Sequence, residues 1–246
     1  MNAYLAEFLG TALLVLMGNG VVANVCLNKT KGNSSGWIVI TTAWAFAVYV
    51  AVVATGPYSG AHLNPAVTLG LAVKGSFAWE MVPGYIIAQV IGGILGGLIV
   101  YLFYSDHFAV TDDPAAKRAC FSTEPAIRHF STNLFCEIIG TVVLVSVIFY
   151  ISGGEMTLPN AQGTVPIGLG SVGALPVAIL VWAIGLSLGG TTGYAINPAR
   201  DFGPRIALSL LSKKLNTSPD WGYGWVPILG PMIGGVIAAL GYNFIM

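Results

Sequence analysis

The chain has 246 residues, of which 55% are hydrophobic and only 8% charged, against about 25% charged in a soluble globular domain. Ten basic and ten acidic residues leave no formal net charge, so neither nucleic acid nor another polyanion is indicated as a partner. So few charges cannot cover a water-soluble fold of this size, and the lipid bilayer is the natural solvent. Cys26, Cys120 and Cys136 show neither metal-ligand spacing nor the even count of a disulfide framework. No cofactor or metal is indicated. The first apolar run is long, carries Glu7 and lacks a basic leader, so it does not resemble a cleavable signal peptide.

An all-α membrane protein is predicted, since about 20 apolar residues in a helix cross the hydrocarbon of a bilayer. The first two spans fall near 3–26 and 37–56. At Asn64 a shorter apolar segment of about ten residues begins, opening with Asn-Pro after a Gly-containing turn. Asn is a strong helix N-cap and Pro suits the first helical turn, so this reads as a half-helix starting in mid-membrane. A third span near 82–104 leads into a polar, charged connection, 105–131. The fourth span near 132–152 is followed by a connection rich in Gly, Pro and Asn, 153–172. Both connections are expected at the surface. The fifth span near 173–190 precedes a second short segment, again of about ten residues and again opening with Asn-Pro, at Asn197. The sixth span lies near 225–245. Thirty-two glycines fit this picture, because membrane helices use Gly for close backbone approach.

The chain repeats itself. Ala6-Glu7-Phe8-Leu9-Gly10-Thr11 returns as Cys136-Glu137-Ile138-Ile139-Gly140-Thr141, and Ser59-Gly60-Ala61-His62-Leu63-Asn64-Pro65-Ala66 as Thr192-Gly193-Tyr194-Ala195-Ile196-Asn197-Pro198-Ala199. More loosely, Gly92-Gly93 after Val82-Pro83 returns as Gly234-Gly235 after Val226-Pro227. The halves, about 1–120 and 121–246, each hold three spans, so the second must sit inverted within one channel domain. Inverted repeats with broken helices place a permeation or binding site at the midplane, and irregular backbone at that depth must line a watery cavity or be buried in protein. The half-helix N-termini then face one another, each with about half a positive charge, and together they repel cations. Asn64 and Asn197 are read both as caps and as amides facing the passage.

The paired Asn-Pro-Ala boxes, the Ala6–Thr11 sequence, Ser59–Thr68 and Asn197–Arg205 together resemble the aquaporin family, over about residues 4–245. The resemblance implies the hourglass fold of six transmembrane helices and two re-entrant half-helices, and a homotetramer with one pore per subunit. It implies a filter of Trp44, Gly185, Tyr194 and Arg200. Two aromatic walls would take carbon backbones, Arg200 would donate to hydroxyls, and Gly185, where water-selective members have His, would leave room for a solute wider than water. Asp201, Arg205 and Pro227-Ile228 resemble residues of the glycerol-conducting branch, whose facilitators have Phe where this chain has Tyr194. The solutes implied are glycerol, water and other small neutral molecules. Carbonyls of Gly60, Ala61, His62, Gly193, Tyr194 and Ala195 would line the path, and Glu7, Glu137 and Asp201 would support it structurally, as could His62. Competing readings from the residues alone are an ion pair of Arg200 with neighbouring Asp201, and plain core packing for Trp44 and Tyr194.

A water-selective pore and a secondary transporter are the alternatives. The latter lacks a membrane acid pair beyond Glu7 and Glu137, and no Ser-His or paired-Asp motif suggests an enzyme. The family topology puts both termini in the cytoplasm of a plasma-membrane protein. Loop charge points the other way, since Lys29, Lys31, Lys117, Arg118, Arg128, Lys213 and Lys214 then lie outside and chiefly Lys74 inside. Glycosylation sequons begin at Asn28, Asn33 and Asn216 and matter only in a lumenal loop of a eukaryotic protein.

Overall fold

The computed structural model describes residues 1–157 and 164–246. Its helices, in chain order, are α1 (Ala3–Cys26), α2 (Trp37–Ser59), α3 (Pro65–Lys74), α4 (Val82–Phe103), α5 (Ser105–Ala109), α6 (Pro114–Ala119), α7 (Phe130–Tyr150), α8 (Leu175–Leu188), α9 (Pro198–Leu215), α10 (Trp221–Gly224) and α11 (Val226–Ile245). Among the described residues, six helical segments are long and apolar enough to cross a membrane, and they coincide with the six expected spans. The fifth starts as a 3-10 turn, Gly170–Ala174, before α8.

The two short segments differ in length. Helix α3 has the ten residues expected and stops at Gly75, whose φ of 86° suits a residue without Cβ. Helix α9 runs for 18 residues, not about ten. Pro204 does not end it, and it closes only after Lys213 and Lys214, at Asn216 in the left-handed conformation (φ 50°).

The two long connections carry more structure than their composition shows. Segment 105–131 lies largely at the surface but also folds inward: α5 and α6 bring Phe108, Cys120 and Phe121 into a core with Ala23 of α1, Leu27 just after it and Leu208 of α9. Its charged residues stay exposed or half-buried, while these apolar residues and Thr111, Ser122 and Thr123 turn inward, which composition averaged over the segment concealed. Segment 153–172 carries a two-stranded antiparallel hairpin, β1 (Gly154–Thr157) with β2 (Thr164–Ile167), with Gly154 opposite Ile167. Residues 158–163 of that connection lie outside the described residues.

The internal repeat is visible in the packing. Helix α1 packs on α4 as α7 packs on α11, and each half-helix packs on the third span of the opposite half, α9 on α4 and α3 on α11. Gly92 and Gly93 make these approaches possible, and Gly234 and Gly235 repeat them. A Cβ at Gly92 would lie 2.3 Å from Phe8 O, and at Gly234 2.6 Å from Ile138 O. At Gly93 it would lie 2.5 Å from Ala199 O, and at Gly235 2.5 Å from Ala66 O. Any larger residue would prise the helices apart, which is why the Gly-Gly pair recurs at the same place in both halves.

Candidate functional site

The two re-entrant loops have matching backbones. Gly60, Ala61 and Leu63 have positive φ (78°, 50° and 52°), as do Gly193, Tyr194 and Ile196 (77°, 37° and 43°). For a residue with a side chain, the left-handed region costs about 1–2 kcal/mol. The strain is held by carboxylates on the neighbouring spans. Glu7 accepts from Ser59 Oγ (2.6 Å), His62 N (2.9 Å), Leu63 N (2.7 Å) and Gln89 Nε2 (2.8 Å). Glu137 accepts from Thr192 Oγ1 (2.6 Å), Ala195 N (3.0 Å) and Ile196 N (2.9 Å). Hydrogen bonds to a charged group contribute about 1.5–3 kcal/mol each, so three or four outweigh the strained residues. With the N–H groups turned to the carboxylate, the carbonyls turn away from it. His62 is held in turn, with Nδ1 at 3.1 Å from Thr68 Oγ1 and its ring against Phe77 and Tyr85.

The half-helices meet through their caps. Asn64 Oδ1 accepts from Ala66 N (2.9 Å), and its amide donates to Ile196 O (2.8 Å) in the other half. Asn197 Oδ1 accepts from Ala199 N (3.0 Å) and Arg200 N (3.2 Å), and its amide donates to Leu63 O (2.8 Å). An amide has two N–H donors, so this reciprocal clasp leaves one on each Asn for the cavity that both line.

That cavity has a volume of about 240 Å³. One wall is apolar (Val48, Val52, Val67, Leu71, Leu144, Ile148 and Val181), and the other is built from Gly60–Asn64 and Tyr194–Asn197. It runs from Ile151, Gly173 and Val177 to Trp44, Tyr194 and Arg200. Val177 and Gly185 on α8 are roughly 12 Å apart along the helix axis at 1.5 Å per residue.

At this last group the Arg200 guanidinium carbon lies 4.2 Å from the Trp44 ring centroid. No hydrogen bond or ion pair engages that guanidinium among the described residues, so its donors are open to the cavity. The alternative of an Arg200–Asp201 pair is not realised. Adjacent residues on a helix point in different directions, whereas i and i+4 share a face. Asp201 pairs instead with Arg205, Oδ1 to Nε at 2.8 Å, both side chains wholly buried. Asp201 Oδ2 also accepts from Thr123 N and Oγ1, both at 2.7 Å, and Arg205 Nη2 donates to Thr123 O at 2.9 Å. Trp44 and Tyr194 are core-packed, yet both line the cavity, and Trp44 Nε1 and Tyr194 Oη have no protein partner.

Gly185 departs from expectation. It is not among the residues lining the cavity. A Cβ there would lie 2.8 Å from Tyr194 Cζ and 3.0 Å from Tyr194 Oη, so the space it leaves is filled by the tyrosine ring and not left open to a solute. Gly193 likewise lies outside the lining, while Gly60, Ala61, His62 and Ala195 are within it. Sequence reasoning missed Ser59, Thr192, Gln89 and Thr123, which complete the carboxylate networks. Ser59 and Thr192 were within reach, since they open the repeated loop motif in both halves as hydroxyl residues.

Six apolar spans, two half-helices clasped at their N-termini and a cavity passing between them define a multi-pass membrane protein of the inverted-repeat, broken-helix kind. The family model for major intrinsic proteins matches residues 1–242. A protein of Thermotoga maritima described as a probable glycerol uptake facilitator is 54% identical over 245 residues, covering all of both chains. Glycerol uptake facilitator protein 3 of Lactiplantibacillus plantarum is 50% identical, over 97% of this chain and 95% of its own. The X-ray structure of the aquaglyceroporin from Plasmodium falciparum superposes with a TM-score of 0.80 at 31% identity, over 98% of this chain and 94% of that one. The chain belongs to the major intrinsic protein family.

Proposed function

We propose that this chain is a passive transmembrane channel for glycerol and related small neutral solutes, with water passing too and ions and protons excluded. The observation that carries this reading is the end of the cavity. There the Arg200 guanidinium, without a hydrogen bond or ion pair among the described residues, lies over the buried Trp44 ring, and buried Tyr194 lines the same cavity. Such a constriction takes the CH groups of a polyol on the rings and its hydroxyls on Arg200. The acceptor carbonyls of Gly60, Ala61, His62, Tyr194 and Ala195 and the free amide hydrogens of Asn64 and Asn197 continue the polar side, opposite an apolar wall. The facing N-termini of α3 and α9 disfavour cations. Glu7, Glu137 and Asp201 support the loops, and their hydrogen bonds leave no acid pair for ion coupling. The glycerol facilitators and the aquaglyceroporin that the chain resembles support glycerol as the principal solute. The single channel domain assembles as a homotetramer in the plasma membrane, with both termini in the cytoplasm.

The test is reconstitution in liposomes, with light scattering followed after osmotic steps of glycerol and of an impermeant sugar. Fast re-swelling in glycerol without any ion gradient is expected. Water flow without glycerol entry would overturn the solute, and a requirement for sodium or a proton gradient would overturn the channel. Single cysteines placed in 105–131 should label from outside the cell, and labelling from the cytoplasm would reverse the orientation.

A further inference from the structure

Behind Tyr194 stands Trp37, the first residue of α2. It does not line the cavity, yet three contacts tie it to the ring that does. Its Nε1–H donates to Gly185 O at 3.0 Å. Its indole meets the Tyr194 ring edge-to-face, with centroids 5.8 Å apart and planes at 79°. The third contact runs through Gly189, where a Cβ would lie 2.5 Å from Tyr194 Cδ1 and 2.8 Å from Trp37 Cζ2. Gly185 near the end of α8 and Gly189 just beyond it thus form a notch that receives the phenol, and Trp37 closes its outer side.

The hydrogen bond has a local cause. The last carbonyls of a helix have no partner within it, and α8 ends at Leu188 without a cap bond from Gly189 N. The Trp37 indole satisfies the Gly185 carbonyl in place of the missing amide. The start of α2 is thereby fixed to the end of α8 at the level of the filter, and Tyr194 is held between them.

We infer that Trp37 is a positioning residue that sets the width of the constriction by fixing the Tyr194 ring. This rests on the reading of Trp44, Tyr194 and Arg200 as the filter. Without the indole, the phenol can swing back toward α2 and the passage widens, so solutes broader than glycerol gain relative to it.

The experiment compares wild type, Trp37→Phe, Trp37→Ala and Tyr194→Ala in liposomes at equal reconstitution, using glycerol and the five-carbon polyol xylitol. A loss of folding alone would lower both fluxes together and leave their ratio unmoved. The xylitol-to-glycerol permeability ratio is expected to rise by about threefold or more in Trp37→Ala, the scale of one lost hydrogen bond and ring contact. Trp37→Phe, which keeps a ring but loses the N–H, should give a smaller rise. A ratio unchanged in both Trp37 variants but altered in Tyr194→Ala would overturn the role of Trp37 alone. A ratio unchanged in all three would overturn the filter reading with it.

Discussion

Replacing Gly185 by Ala probes the constriction with a single methyl group. The new Cβ would sit 2.8 Å from Tyr194 Cζ and 3.0 Å from both Tyr194 Oη and Thr41 Cγ2. Carbon atoms rest at about 3.5–4.0 Å, so the ring must give by roughly 0.7–1.2 Å. It cannot retreat along α8, because Gly189 and Trp37 already touch its other edge. The remaining direction is into the cavity. Overpacking of this kind costs about 1–3 kcal/mol. If a solute must push the ring back to pass, that energy adds to its barrier, and glycerol permeability falls by roughly five- to 150-fold at 1.4 kcal/mol per factor of ten. Water is thinner and should lose less. Folding should survive, because Ala is better than Gly within a helix by about 0.5–1 kcal/mol. Stopped-flow light scattering on matched proteoliposomes reads both fluxes. Unchanged glycerol entry, or equal loss of glycerol and water, would refute the reasoning.

Gly18→Ala should act on the other ring, since its Cβ would fall 2.3–2.4 Å from three atoms of Trp44. Glycerol flux should drop severalfold, while Gly20→Ala, with nothing within 4 Å, should behave as wild type in the same assay. Glu137→Gln keeps the shape but turns an amide N–H toward a loop donor now bonded to the carboxylate. A loss of about 2–3 kcal/mol should appear as a lower melting temperature in detergent, and an unchanged one would contradict the bracing role. Asp201→Asn removes the charge facing buried Arg205 and should cost about 3–5 kcal/mol. The double variant Asp201→Leu/Arg205→Met should recover part of that loss, and strict additivity in the thermal assay would argue against coupling.

Much of this protein was legible from its sequence. Membrane class, six spans and inversion follow from hydropathy, length and repeat, because every backbone polar group in lipid must be satisfied within a helix or in a watery cavity. The caps at Asn64 and Asn197 were legible too, since an N-cap is a local event within three residues. Tertiary structure decided what distance in sequence conceals. Asn64 reaches Ile196 O and Asn197 reaches Leu63 O, a clasp across more than half the chain. Segment 105–131 folds inward because Asp201 and Arg205 bind the backbone of Thr123, which its own polar composition disguises. Gly185 reads in sequence as open space, yet its space belongs to Tyr194. A missing side chain shows only that something comes close, and whether that something is a solute or a neighbouring ring depends on how helices far apart in the chain pack together.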